Sequence, residues 1–105
     1  MAQIIWTEPA LTDLDTIAEY IALDKPAAAR KLVKSVFKRV GLLEEAPNSG
    51  RMPPELTNSR YREVIVGPCR VFYRYTDNTL FLLHVMRSER ELRLYVLNER
   101  EAENS

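Results

Sequence analysis

From Arg51 to the carboxyl end the chain carries nine basic residues, every one an arginine, whereas its four lysines, Lys25, Lys31, Lys34 and Lys38, all come earlier. A guanidinium presents a planar fork of donors that suits phosphate and carboxylate alike, so the second half reads as a surface that meets phosphate or one that grips an acidic partner. Biased codon composition produces the same pattern. Arg62, Arg70 and Arg74 also admit a plainer use, pairing with Glu63 and other surface acids. With 15 basic and 15 acidic residues the formal net charge is zero, so bulk electrostatics announce no attraction to nucleic acid.

Other chemistry is thin. His84, the only histidine, lies inside Leu82-Leu83-His84-Val85-Met86, where a half-buried imidazole bonded to a neighbour is expected rather than a member of a nucleophilic triad. Cys69 is the single cysteine, which excludes an internal disulfide and a cysteine-based zinc cage; its apolar setting predicts a small buried thiol. The sequence shows no metal-ligand cluster, no phosphate-binding glycine loop and no paired carboxylates at helical spacing in a plausible cleft. Neither a metal nor a cofactor is expected, and a conventional hydrolase is disfavoured.

The elements that must position these residues can be read in order. A length of 105 residues with 46% hydrophobic content fits one domain over residues 1–105 and is too short for two ordinary cores. No charged leader or long apolar run marks a signal peptide or a membrane span, so a cytoplasmic, soluble chain is expected. Residues 3–6 are β-prone. Thr7-Glu8-Pro9 carries the chemistry of a helix start, and Ala10, Leu11, Leu14, Ile17, Ala18 and Ile21 form a stripe that predicts a helix to about Leu23. Asp24-Lys25-Pro26 repeats the stop and cap, and Ala29, Leu32, Val33, Val36, Phe37, Val40 and Leu43 form a second stripe. So short a turn predicts an antiparallel helical hairpin. Ala46-Pro47-Asn48-Ser49-Gly50-Arg51-Met52-Pro53-Pro54 then breaks the pattern, with an irregular stretch to about Arg60. Residues 61–66, 69–75 and 80–86 are β-rich and are divided by Gly67-Pro68 and Asp77-Asn78, which predicts an antiparallel meander. The order β-α-α-β-β-β is α+β, with the hairpin on one face of a twisted antiparallel sheet and the opposite face open for work. A short helix or tail closes the chain, and residues 98–105 are expected to fray.

Strand geometry groups the arginines. A two-residue turn at Asp77-Asn78 sets Thr76 against Thr79, which carries Arg70 opposite Val85 and onto the face of Phe72, Arg74 and Arg87. Arg70 and Arg87 are thus predicted to project together. The turn at Gly67-Pro68 sets Arg62 opposite Tyr73, on the other face, unless a bulge shifts the register.

Taken in sequence, Ile5-Trp6-Thr7-Glu8-Pro9-Ala10-Leu11-Thr12-Asp13-Leu14, Ile17-Ala18-Glu19-Tyr20-Ile21, Pro47-Asn48-Ser49-Gly50-Arg51, Tyr61-Arg62-Glu63, Cys69-Arg70-Val71-Phe72-Tyr73-Arg74 and Leu83-His84-Val85-Met86-Arg87 resemble the RelE/ParE toxin superfamily of type II toxin-antitoxin systems. The resemblance runs over roughly residues 4 to 94, and its order and spacing carry it. It implies a twisted antiparallel sheet with helices on one face, a charged functional surface, and a cognate antitoxin that blocks it. Members similar to RelE cut messenger RNA in the ribosome; members similar to ParE poison DNA gyrase. For the first activity the resemblance implies catalytic roles for Arg62, Arg70, Arg87 and Tyr95; for binding a target or antitoxin, it implies Arg62, Arg70, Arg74, Arg87 and Arg90. The second basic position of the strand before Arg70 falls at Val64, and Tyr95 stands one residue off the expected spacing. Charge stabilisation is most of what such a nuclease offers, so the loss at Val64 favours a ParE-like gyrase inhibitor of the plasmid-stabilisation type. A RelE-like nuclease acting on ribosome and mRNA is the alternative, and an inactive antitoxin-binding co-repressor a third. Tyr95 can move a proton only with its pKa well below about 10; otherwise Leu92, Tyr95 and Val96 simply pack on the body.

Overall fold

A computed structural model describes residues 1–103. The chain order is β1 (Gln3–Trp6), α1 (Glu8–Ala22), α2 (Pro26–Gly41), a single 3₁₀ turn at Leu42–Glu44, β2 (Tyr61–Val66), β3 (Cys69–Thr76), β4 (Thr79–Arg87) and α3 (Leu94–Glu103). Thr7 starts α1 as expected. Its hydroxyl accepts the Ala10 amide at 3.4 Å and donates to the Leu82 carbonyl at 2.7 Å, fixing the helix start to the sheet. At the second helix start, in Asp24-Lys25-Pro26, Lys25 takes the cap position of α2 and no side chain caps it. No helix among the described residues is long and apolar enough to cross a membrane.

The sheet order is β1-β4-β3-β2. The meander β2-β3-β4 is antiparallel, while β1 joins β4 in parallel over Thr79–Leu82, and the α1–α2 hairpin crosses the sheet from β1 at one edge to β2 at the other. Asp77 and Asn78 take φ of 50° and 57°, the left-handed pair of a tight hairpin turn, and Thr76 does face Thr79. Arg62 faces Tyr73 as expected.

Beyond that turn the register departs from the prediction. Tyr73 faces Leu82 but Phe72 faces His84, so Leu83 is an extra residue and β4 bulges. Arg70 therefore lies opposite Met86 instead of Val85, and Arg87 lies opposite Cys69. One inserted residue exchanges the faces of all that follows, which separates Arg87 from Arg70.

Each face of the sheet carries its own core. On one, Ala10, Leu14, Leu32, Val36 and Val40 of the hairpin bury Val64, Val71, Tyr73, Leu80, Leu82 and Val85. On the other, Leu92 and Leu97 close over Tyr61, Phe72, Leu83 and Met86. This second core corrects the expectation of an open working face, and it corrects the frayed end, since residues 98–103 lie within α3. Residues 104 and 105 lie outside the described part.

Candidate functional site

Arg70, near the start of β3, shares the sheet face of Phe72 and Glu63 and is only 5% exposed. Its Nε donates to Glu63 Oε1 and its Nη1 and Nη2 fork onto Glu55 Oε2 and Oε1, each at 2.7 Å. Nη2 also reaches Glu63 Oε2 at 3.1 Å, and Nη1 reaches the Arg90 carbonyl at 3.4 Å. Glu63, 1% exposed, takes a further bond from Arg51 Nε at 3.0 Å. The bonds from Arg70 draw the Glu55 carboxyl down to about 2, against an opposing push from burial, and the two acids raise the Arg70 guanidinium above its ordinary range. A cation held by two carboxylates has little field left for a phosphate.

The segment that resembled a motif, Pro47-Asn48-Ser49-Gly50-Arg51, positions this cluster. The Tyr73 hydroxyl accepts the Gly50 amide at 3.0 Å and donates to the Pro47 carbonyl at 2.7 Å, while Arg51 forms a β-bridge with Glu63. A Cβ at Gly50 would stand 2.6 Å from that hydroxyl and 2.8 Å from the Glu63 carbonyl, so only glycine fits so close an approach.

A second polar cluster locks α3 down and was not foreseen. Asp13 Oδ2 of α1 accepts the Val85 amide at 3.0 Å and Arg100 Nη1 at 2.6 Å, and lies 2.7 Å from His84 Nδ1. Arg100 also donates to the Leu83 carbonyl at 3.0 Å. β1 ends opposite Leu82, so Asp13 and Arg100 take up backbone groups of the β4 edge just beyond it, at the bulge. Burial pushes the Asp13 carboxyl up, but the bonds from His84, Arg100 and the Val85 amide outweigh it and leave the group below its ordinary value. His84 is half-buried and bonded, as expected, and stacks on Phe72 at 5.7 Å.

From the same turns of α3 a third set of bonds forms: the Tyr61 hydroxyl lies 2.8 Å from both Asn98 Oδ1 and Glu101 Oε1, and accepts Arg60 Nη2 at 3.0 Å. Burial, aided by Glu101, pushes the Tyr61 phenol up to about 12. Arg74 approaches Glu101 at 3.3 Å.

The remaining candidates go elsewhere. Arg62 shares the face of Tyr73 and donates to the Gly50 carbonyl at 2.8 Å. Arg87 pairs with Glu89 at 2.8 Å and holds its guanidinium 5.9 Å from the centre of the Tyr20 ring, in a groove of about 740 Å³ between α1, β4 and the segment leading to α3. Arg90 is exposed on its rim. Tyr95 is 65% exposed, so its ring does not pack on the body as the plainer expectation had it; Leu92 and Leu97 do. Arg62, Arg70, Arg87 and Tyr95 thus occupy no common site. Cys69 is buried, and burial raises its thiol. No group of three His, Cys, Asp or Glu side chains among the described residues is arranged to hold a metal ion.

Sequence reasoning missed Asp13, Glu55, Tyr61, Arg100 and Glu101. A signal existed for Asp13: it stands three residues after Ala10 and four before Ile17, on the flank of the apolar stripe, where a carboxylate must find bonds. Glu55 and Glu101 lie in segments without periodicity pointing inward.

Residues 4–92 match the family described as the ParE toxin of the type II toxin-antitoxin system parDE. The chain is 34% identical to Toxin RelE2 of Caulobacter vibrioides over 90% of its length and all of the relative's. It is also 34% identical to the putative toxin Y4kP of Sinorhizobium fredii over 85% of its length and 91% of that relative's. The fold is similar to a chain of the chromosomal ParDE toxin-antitoxin system of P. aeruginosa, with a TM-score of 0.72 and 25% identity over 85% of this chain and 98% of that one. It also resembles a chain of the RelBE2 toxin-antitoxin complex of Mycobacterium tuberculosis, with a TM-score of 0.55 and 22% identity over 82% of this chain and 96% of that one.

Proposed function

We propose, for a chain that belongs to the ParE toxin family of type II toxin-antitoxin systems, that it arrests growth by poisoning DNA gyrase in the cytoplasm and is neutralised by a cognate antitoxin. The observation that carries this reading is the state of Arg70. A nuclease must aim its charge at a phosphate, and Arg70 is buried and bonded to Glu55 and Glu63 instead. The missing base at Val64 supports the same conclusion. A gyrase poison needs only a shaped surface that traps the enzyme on DNA.

The antitoxin contacts follow from exposure. Arg62, Arg74, Arg87 and Arg90 face solvent at least in part, whereas Arg70 is buried and acts by holding Glu55 and Glu63 in place. An acidic antitoxin segment, disordered alone, would fold on this surface as a helix or an added strand.

Induction in cells tests the target. Filamentation and a DNA-damage response, with translation falling late, are expected. An immediate stop of protein synthesis with mRNA cut at codon positions would reverse the assignment to the RelE-like reading. The 34% identity to Toxin RelE2 keeps that reading as the second one, with Arg62, Arg70, Arg87 and Tyr95 as its catalytic candidates. A chain that binds its antitoxin and arrests nothing would be the co-repressor of the third reading.

A further inference from the structure

α2 carries Arg30, Lys31, Lys34, Lys38 and Arg39 and no acidic residue, whereas α1 carries Glu8, Asp13, Asp15 and Glu19 and no basic one. At about 100° per residue, Arg30, Lys31, Lys34 and Lys38 fall within about 100° of arc, centred opposite the buried Ala29, Leu32, Val36 and Val40. All four are exposed. Among the described residues none of them makes a salt bridge, and no salt bridge joins α1 to α2, so the opposite charges of the hairpin do not neutralise each other in contact.

We propose that the outer face of α2, through Arg30, Lys31, Lys34 and Lys38, is a docking surface for the phosphate backbone of duplex DNA. Arg30, Lys34 and Lys38 follow one another at four-residue steps, about 6 Å apart along the axis and about 40° further round it each time, and form a row of positive charges inclined to the axis. The major groove of B-DNA admits an α-helix, so a convex helix bearing charge across such an arc reaches phosphates on both walls; the major groove of A-form RNA is too narrow for this. An acidic protein segment fits less well. It would have to order itself on binding, and that cost is offset by buried apolar area, which this arc lacks: Val33 and Phe37 lie on its α1 side, in the furrow with Leu11 and Leu14. The acids of α1 turn that side away from DNA and so orient the docking.

This inference stands apart from the gyrase reading, since its test contains neither gyrase nor ribosome. Fluorescence anisotropy of a labelled mixed-sequence duplex of about 30 base pairs, titrated with the full chain from 50 to 200 mM salt, gives the number of phosphates engaged. Four contacts predict a log-log slope near −3.6, an affinity loss on the order of 10²-fold across that range. Lys34→Gln should lower the slope by about one and Lys34→Arg should restore it; the fourfold change Arg30→Gln, Lys31→Gln, Lys34→Gln, Lys38→Gln should flatten it with the circular dichroism and Tm unchanged. Because the four residues are exposed, a folded variant is expected. Binding by the fourfold variant equal to that of the wild type would overturn the proposal, as would no measurable binding by the wild type at 50 mM salt. So would stronger competition by polyglutamate than by unlabelled duplex DNA, which would point to an acidic protein partner, or a preference for duplex RNA of equal length.

Discussion

The two ends of the chain use positive charge in opposite ways. Arg51, Arg60, Arg70, Arg74, Arg87 and Arg100, all in the second half, each meet a carboxylate, and Arg70 meets two. The basic residues of α2 meet none among the described residues. The arginine fork suits the first task, because it can satisfy two acids at once inside a covered face; a solvated lysine on an outer helix face suits the second. The run of arginines left open a phosphate surface, an acidic partner or pairing with the chain's own acids, and the ion pairs of Arg51, Arg60, Arg70, Arg74, Arg87 and Arg100 show the last of these.

The largest effect that would sharpen this contrast is expected at Arg70. Arg70→Ala leaves Glu63 buried without its main partner and should cost about 4 kcal/mol in chemical denaturation, with Arg70→Lys recovering little of it for want of a fork. A loss within about 0.5 kcal/mol would mean that the cluster is dispensable and Arg70 free for other work. Leu97→Ala, which empties the apolar anchor of α3, should cost about 3 kcal/mol; a negligible cost would show that the helix is held by its ion pairs alone. Asp13→Asn should cost about 2 kcal/mol by weakening the bonds to Arg100, His84 and the Val85 amide together.

Acid should undo the paired region first. The Glu55 carboxyl has its folded value drawn down to about 2 from an ordinary 4.5, so its contribution is complete above about pH 4.5 and drains away as the pH falls toward 2. Asp13 and Glu101, also lowered, change stability in the same sense. Unfolding free energy followed from pH 7 to pH 2 should therefore fall, and Glu55→Gln should flatten the curve; an equal slope in that variant would remove Glu55 from the account. The smallest change is expected on α2, where Lys34→Gln should alter stability by no more than about 0.5 kcal/mol at any pH in this range.

Much of the fold was legible because its signals are local. The Thr7 cap, the two apolar stripes, the break at Pro47–Pro54 and the Asp77-Asn78 turn each act within a few residues. The bulge at Leu83 was not, since the groups that take up its backbone, Asp13 and Arg100, come from distant parts of the chain. Missing it placed Arg87 on the wrong face. The carboxylates that hold Arg70, Arg74 and Arg100 were equally hidden, because Glu55, Glu101 and Asp13 arrive from 15, 27 and 87 residues away. A closing helix was expected, but residues 98–103 of it were expected to fray, because Asn98, Arg100 and Glu101 read as solvent-facing until Tyr61, Asp13 and Arg60 are brought beneath them.

The central functional claim, that this chain acts on gyrase and does not cut RNA, is tested most directly by incubating the purified chain with gyrase, ATP and supercoiled plasmid and resolving the DNA after denaturing the enzyme. Accumulation of linear, gyrase-cleaved plasmid in proportion to the chain added is the predicted result. Plasmid processed at the normal rate without cleaved product, while the same preparation cuts mRNA on programmed ribosomes, would contradict it.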